Sequence, residues 1–171
     1  MPGVAVQQFT GEGEEMHLPH GPARHFEPRD PHWADKVRAS FARQGAMGLI
    51  GAELADIQPG WCEIRMPYRA DLTQQHGYFH AGIITTAVDS AAGYAGFSLM
   101  VPDASVLSVE FKINLLAPGD GEMLYAIGEV IKPGKTLVIT RGDAYVVKHG
   151  KIVHCATMQQ TLMTMHGKAE G

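Results

Sequence analysis

The run from Ala81 to Met100 contains one charged residue, Asp89. A carboxylate in apolar surroundings suits general-base or nucleophilic work, and taking a proton from water is worth typically ~10²–10⁴-fold. Just ahead of it lies a loop rich in glycine and histidine, His76-Gly77-Tyr78-Phe79-His80-Ala81-Gly82. If Ala81 and Gly82 open a helix, their N–H groups have no intrahelical acceptor and sit at the positive end of the macrodipole. Such amides can hold an oxyanion. Asp89 then lies about 12 Å further along the same helix, at ~1.5 Å per residue. That is too far to act on an atom held at its own N-terminus, so cooperation between the two requires a second copy of the chain, a homodimer.

These groups are positioned by a helix. Ile84, Val88, Ala91, Ala95 and Leu99 recur at intervals of three and four, the period of an α-helix with one apolar face. A second stripe, Gly82, Thr86, Asp89, Gly93 and Gly96, is small everywhere except at the acid. Interior glycines cost roughly 1 kcal/mol each against alanine, so packing or function must offset them. The segment approaches the ~20 residues of a transmembrane span. A mid-helix Asp costs about 2.5–3.5 kcal/mol to insert, and no basic cluster flanks it, so the reading is a buried helix in a globular protein. Two alternatives stay open for Asp89: an incidental, satisfied core carboxylate, or a working acid.

Around that helix the chain alternates between short elements and turns. Trp33, Val37 and Phe41 predict an amphipathic helix over His32–Arg43, with Asp30 as its cap and Gly45 past its end. Met47–Ile57 and Trp61–Tyr68 read as strands joined at Pro59-Gly60. After Pro102, Leu107, Val109, Phe111, Ile113 and Leu115 alternate with Ser108, Glu110, Lys112 and Asn114, the period of a strand with one buried face. Pro118-Gly119-Asp120-Gly121 turns the chain into Met123–Lys132, then Pro133-Gly134-Lys135 into Thr136–Lys148. His149-Gly150 forms a tight hairpin into Lys151–Met163. The expected fold is α+β: two strands, one long helix and a four-strand meander, in a single antiparallel sheet curved around the helix. The domain spans residues 32–163, with a loose N-terminal arm at 1–31 and a tail at 164–171.

Composition narrows the function. A net charge of −4 gives no electrostatic footprint for nucleic acid. The two cysteines, Cys62 and Cys155, imply no disulfide framework and read as packing, which favours a reducing cytoplasm. The arm lacks a basic start followed by an apolar run, hence shows no signal peptide. Its His17, His20, His25 and His32 have no metal-ligand spacing, and the His76/His80 pair lacks the acid and third ligand of a zinc site, so no metal is assigned. His80 reads as a brace or cap for the helix start in preference to a catalyst. A Gly-x-Ser-x-Gly nucleophile elbow is absent.

The run Gln74-Gln75-His76-Gly77-Tyr78-Phe79-His80-Ala81-Gly82, an acid nine positions after His80, then Ser108-Val109-Glu110-Phe111-Lys112-Ile113-Asn114 and Pro118, resembles the hotdog-fold acyl-CoA thioesterases of the phenylacetate-pathway (PaaI-like) type. The resemblance covers roughly residues 46 to 163, and its specific part is the His-x-Gly run with the spaced acid. It implies a homodimer or dimer of dimers with two sites across the interface, hydrolysing a coenzyme A thioester without a further cofactor. Asp89 would be the base or nucleophile. Ala81 stands where the family has a glycine whose amide polarises the thioester carbonyl, with Gly82 and His80 beside it. Gln74 replaces an Asn that holds the carbonyl or the water, and Ser108 lies near the water. Lys132, Gly134, Lys135 and Thr136 resemble the turn that meets the coenzyme A nucleotide.

Ala81 for Gly adds a methyl group near the acyl chain. Gln74 for Asn lengthens an arm by one methylene, about 1 Å, and misplacement on that scale can cost about a hundredfold. A non-catalytic acyl-CoA-binding protein is therefore one alternative. A hotdog enoyl-CoA hydratase or dehydratase is another, although that chemistry usually brings a His and an acid together on the acyl chain. Phe79, Tyr94 and Met100 are candidates for setting pocket size.

Overall fold

The computed structural model describes residues 24–167. Its elements are α1 (Trp33–Arg43), α2 (Gly45–Ile50), β1 (Glu53–Gln58), β2 (Trp61–Pro67), α3 (Ala81–Phe97), β3 (Ala104–Leu115), β4 (Met123–Pro133), β5 (Leu137–Lys148) and β6 (Lys151–His166). The strands make one antiparallel sheet in the order β1-β2-β4-β5-β6-β3. Helix α3 packs against β2, β3, β4, β5 and β6, the hotdog arrangement of a sheet around a central helix. Its predicted apolar face is buried at all five positions, Ile84, Val88, Ala91, Ala95 and Leu99. Among the described residues no helix is long and apolar enough to cross a membrane.

Two strands offer the helix no side chain where it meets the sheet. Gly128 of β4 and Gly142 of β5 are cross-strand partners. A Cβ on Gly128 would lie 2.2 Å from the Ala91 carbonyl oxygen, and one on Gly142 would lie 2.4 Å from Cγ1 of Val88. The turn of α3 that carries Asp89 is therefore pressed directly onto the centre of the sheet.

Several elements differ from their sequence expectations. The expected strand Met47–Ile57 is instead helix α2 followed by the shorter β1. Met47 and Ile50, three apart, turn into the core while Leu49 is 75% exposed; Gly51 at φ 69° then ends the helix in the left-handed region. The expected four-strand meander holds for β4-β5-β6, but β3 lies beyond β6 at the sheet edge. The end of α3 explains this: Gly96 packs against Leu162 of β6 and Val138 of β5, so the chain leaves the helix on that side. Residues 116–122 must then cross back beneath the start of α3, where the Phe79 N–H donates to the Gly119 carbonyl at 2.9 Å.

The last part of the expected loose arm is docked. Asp30 is 3% exposed. It accepts the His32 N–H at 2.8 Å and pairs with Lys36 at 3.1 Å, two residues ahead of the position needed to cap α1 as expected. Lys36 also donates to the Met100 and Val101 carbonyls, tying the arm's end to the exit of α3. Strand β6 runs to His166, into the expected tail, because Ala104 to Val106 extend β3 alongside it. The β5–β6 hairpin turns at His149 (φ 49°) and Gly150 (φ 74°) as read from the sequence. His17 and His20 lie outside the described residues.

Candidate active site

Asp89 looks out from the seated turn of α3 toward β3 and β6. Its Oδ1 accepts a hydrogen bond from Ser108 Oγ at 2.7 Å and another from Gln160 Nε2. The same Gln160 nitrogen donates to Ser108 Oγ at 2.9 Å, and its Oε1 accepts from Thr140 Oγ1 at 3.3 Å. Gln160 and Thr140 are fully buried cross-strand neighbours, whereas Asp89 is half-buried with an open side. The arrangement holds an acid at the edge of solvent while a dry polar network grips it from behind.

Ser108 reaches Asp89 because β3 is bulged. Ser108 pairs with Leu162 and Glu110 with Thr161, leaving Val109 without a partner on β6. The extra residue reverses the alternation, putting Ser108 on the helix side with Phe111 and Ile113 and sending Leu107 to the opposite face. Regular alternation, as read from the sequence, would place Ser108 away from the helix. Gln160 and Thr140 were missed by sequence reasoning. The available signal was polarity on an inward face: Gln160 lies between Met158 and Leu162 in the alternation of β6, all three buried.

The start of α3 forms a second cluster. His80 is the N-cap residue, and its Nδ1 accepts the Gly82 N–H at 2.9 Å. The expected pair of free amides is thus reduced: Gly82's N–H is committed to the cap, and Ala81's is the one at the helix start that no described residue accepts. Thr85 and Thr86 return their hydroxyls to the Ala81 and Gly82 carbonyls, so neither is aimed at a ligand. Gln74 opens a turn closed by Gly77 (φ 80°), and its Oε1 accepts the His76 N–H. Ala81 and Gln74 line a cleft of about 440 Å³ with Phe79, Ile84, Leu115 and Pro118. Of the residues expected to set pocket size, Phe79 borders this cleft. Tyr94 and Met100 belong to the core instead, Tyr94 placing its hydroxyl 3.3 Å from Ser40 Oγ beneath α1.

Within one chain the two clusters remain apart. Asp89, Ser108 and Gln160 gather near the first half of β3, while Ala81 and Gln74 gather at its last residue, Leu115. The turn Lys132, Gly134, Lys135, Thr136 forms a third location. Gly134 is required there, since a Cβ would fall 1.9 Å from the Leu137 carbonyl oxygen. Two residues of the docked arm join it unforeseen: Arg24 donates to the Ile131 carbonyl at 3.0 Å and Arg29 to that of Gly134 at 3.5 Å. Both cysteines are buried packing residues. Burial pushes the Cys62 thiol well up and the Cys155 thiol up to about 12, so neither is a thiolate at neutral pH.

A thioesterase superfamily profile matches residues 76–153, from the loop before α3 into β6. The crystal structure of a thioesterase family protein from Silicibacter pomeroyi shares 50% sequence identity at a TM-score of 0.78, covering 79% of this chain and 99% of that one. The E. coli PaaI protein of the phenylacetic acid degradation operon has the same fold, with a TM-score of 0.71 and 18% identity over 80% of this chain and 95% of its own. A 1,4-dihydroxy-2-naphthoyl-CoA hydrolase from Listeria monocytogenes is 26% identical over 92 residues, 54% of this chain and 75% of that relative. On the fold, the matched profile and the identity to the S. pomeroyi protein, this chain belongs to the thioesterase superfamily and is a hotdog-fold thioester hydrolase.

Proposed function

We propose that the protein hydrolyses a small or aromatic acyl-CoA thioester to the free acid and coenzyme A, in sites shared between two copies of the chain. One observation carries this reading: the acid cluster meets the exposed edge strand β3 near its middle, at Ser108, and the amide cluster meets it at its end, Leu115. Ser108 and Leu115 are seven residues apart, about 23 Å at ~3.3 Å per residue. Antiparallel pairing of β3 with itself, centred near Phe111, sets Ser108 opposite Asn114 of the partner subunit. The acid of one copy then meets the cleft of the other, twice per dimer. A coenzyme A thioester as substrate is supported by the activity named for the Listeria relative.

In such a site the thioester carbonyl accepts the Ala81 N–H, and the Gln74 amide lies within reach of the carbonyl or the water. Asp89 takes a proton as water adds to the carbonyl carbon, and the negative charge gathers on the oxygen facing the amide. Collapse of the adduct breaks the C–S bond, and the leaving thiolate recovers the proton from Asp89, giving acid and thiol. Attack by Asp89 itself, followed by hydrolysis of the mixed anhydride, uses the same groups. Water is the only co-reactant in this scheme, and no cofactor takes part. Lys132 and Lys135, on the turn shaped by Gly134 and Thr136 and joined by Arg24 and Arg29, supply cations for the coenzyme A phosphates. The cytoplasm suits both this substrate and two free buried thiols.

Release of free thiol from a panel of acyl-CoA esters tests the reading. Turnover should fall by about 10²–10⁴-fold in Asp89→Asn. Tight acyl-CoA binding without thiol release would show a binding protein instead, and hydration of an enoyl-CoA with the thioester intact would show a hydratase.

A further inference from the structure

We infer that Gln160 and Thr140 are positioning residues that fix which oxygen of Asp89 does the work, a role that rests on the hydrolysis proposed above. Both donors to the carboxylate, Ser108 Oγ and Gln160 Nε2, converge on Oδ1. Among the described residues nothing binds Oδ2. The carboxylate of this half-buried residue is thereby held by one oxygen, which leaves the other for the water or thioester. A carboxylate bonded through both oxygens would lose basicity at each. A carboxylate bonded through neither would rotate about its own Cβ–Cγ axis.

The amide that does this holding cannot orient itself. Gln160 is 1% exposed, and a buried side-chain amide turned end for end would aim its carbonyl at Asp89, acceptor against anion. Asp89, which only accepts, therefore draws the nitrogen toward itself and Ser108. Thr140 anchors the other end: its hydroxyl, 0% exposed, donates to Gln160 Oε1 at 3.3 Å, so the amide is held at both ends. The chain of bonds therefore runs Thr140 hydroxyl to Gln160 oxygen, then Gln160 nitrogen to both Asp89 and Ser108. Every link is on the sheet's inner face or on the turn of α3 seated over Gly128 and Gly142. Neither Gln160 nor Thr140 touches the open side, so their influence passes through Asp89 to the reaction and leaves substrate binding alone.

Four variants of the full-length protein test this in the thiol-release assay, with thermal unfolding recorded for each. Gln160→Met keeps the length of the side chain and removes the donor. Thr140→Val keeps the shape and removes the hydroxyl that anchors the amide oxygen, while Thr140→Ser retains it; Asp89→Asn gives the floor. Gln160→Met and Thr140→Val should lower kcat by up to about a hundredfold, the scale of a misplaced catalytic group, with KM within about twofold of the parent. Thr140→Ser should return kcat to near the parental value. A folded Thr140→Val or Gln160→Met with parental kcat, or a Thr140→Ser as slow as Thr140→Val, would overturn the positioning role while leaving hydrolysis standing. A parent inert on every acyl-CoA ester would instead overturn the hydrolytic reading, and this role with it.

Discussion

Asp143, on the face of the sheet away from α3, carries a residue-scale prediction of a different kind from that of Asp89. It is 5% exposed and bonded by Arg141 at 2.7 Å and by His154 at 2.9 Å. Burial acts to raise its carboxyl, but the bonds from His154, Arg141 and Thr157 together outweigh that and hold it below the ordinary carboxylate range. The native state therefore favours the ionised form more than the unfolded chain does. Its contribution is full above the unfolded value of about 3.9 and is lost as pH falls through the lower native value. Asp143→Asn should be less stable than the parent near neutral pH, and the difference should shrink once pH drops below about 4. Denaturant unfolding at a series of pH values measures it; a gap that widens as pH falls below about 4 would contradict the sign. At this scale Asp89 was legible from the sequence as the one charge in an apolar helix. Of its partners, Ser108 entered through the family resemblance alone, since its place on the helix side depends on a bulge, and Gln160 was not legible because it rests on tertiary contact across 71 residues.

The long helix announced itself through its spacing of three and four, yet what fixes its height over the sheet lies in other elements. Gly128 and Gly142 are unremarkable in β4 and β5 until the structure places them opposite each other beneath Val88, Ala91 and Ala92. A methyl group at Gly128 would meet helix backbone at 2.2 to 2.4 Å, where no side-chain rotation gives relief. Gly128→Ala should destabilise by about 1–3 kcal/mol or more. At roughly 2–4 °C per kcal/mol for a chain of this size, thermal unfolding resolves it readily. Gly93→Ala is the control: its Cβ enters open space, so Tm should hold or rise. Equal losses at both positions would mean that helix seating is not what Gly128 provides. The same logic explains two misread elements. Gly45–Ile50 is too short for its helical period to stand out against a strand reading, and the place of β3 is decided by where α3 ends, which no local pattern records.

For the whole molecule the deciding feature is the edge strand. Leu107 (54% exposed), Val109 (53%), Phe111 (42%) and Leu115 (55%) make β3 an apolar strand of twelve residues, paired with β6 on one side only. Among the described residues no strand pairs with its outer backbone groups, and a long apolar edge of this kind invites pairing with another chain unless charge or proline blunts it. Only Glu110 and Lys112 carry charge within the strand, and no proline interrupts it. Phe111 is the informative position, because it stands where a two-fold pairing of β3 would cross itself and contributes no polar group to either cluster. Phe111→Asp sets two carboxylates against each other at that crossing. It should shift the protein to monomer in sedimentation and, by parting Asp89 from the facing cleft, cut thiol release by at least about a hundredfold, the scale of a lost catalytic alignment. Thermal unfolding at high concentration would confirm that the separated chain still folds. A monomeric Phe111→Asp with undiminished turnover would mean that a single chain brings acid and amide together after all, and the division of the site along β3 would have to be abandoned.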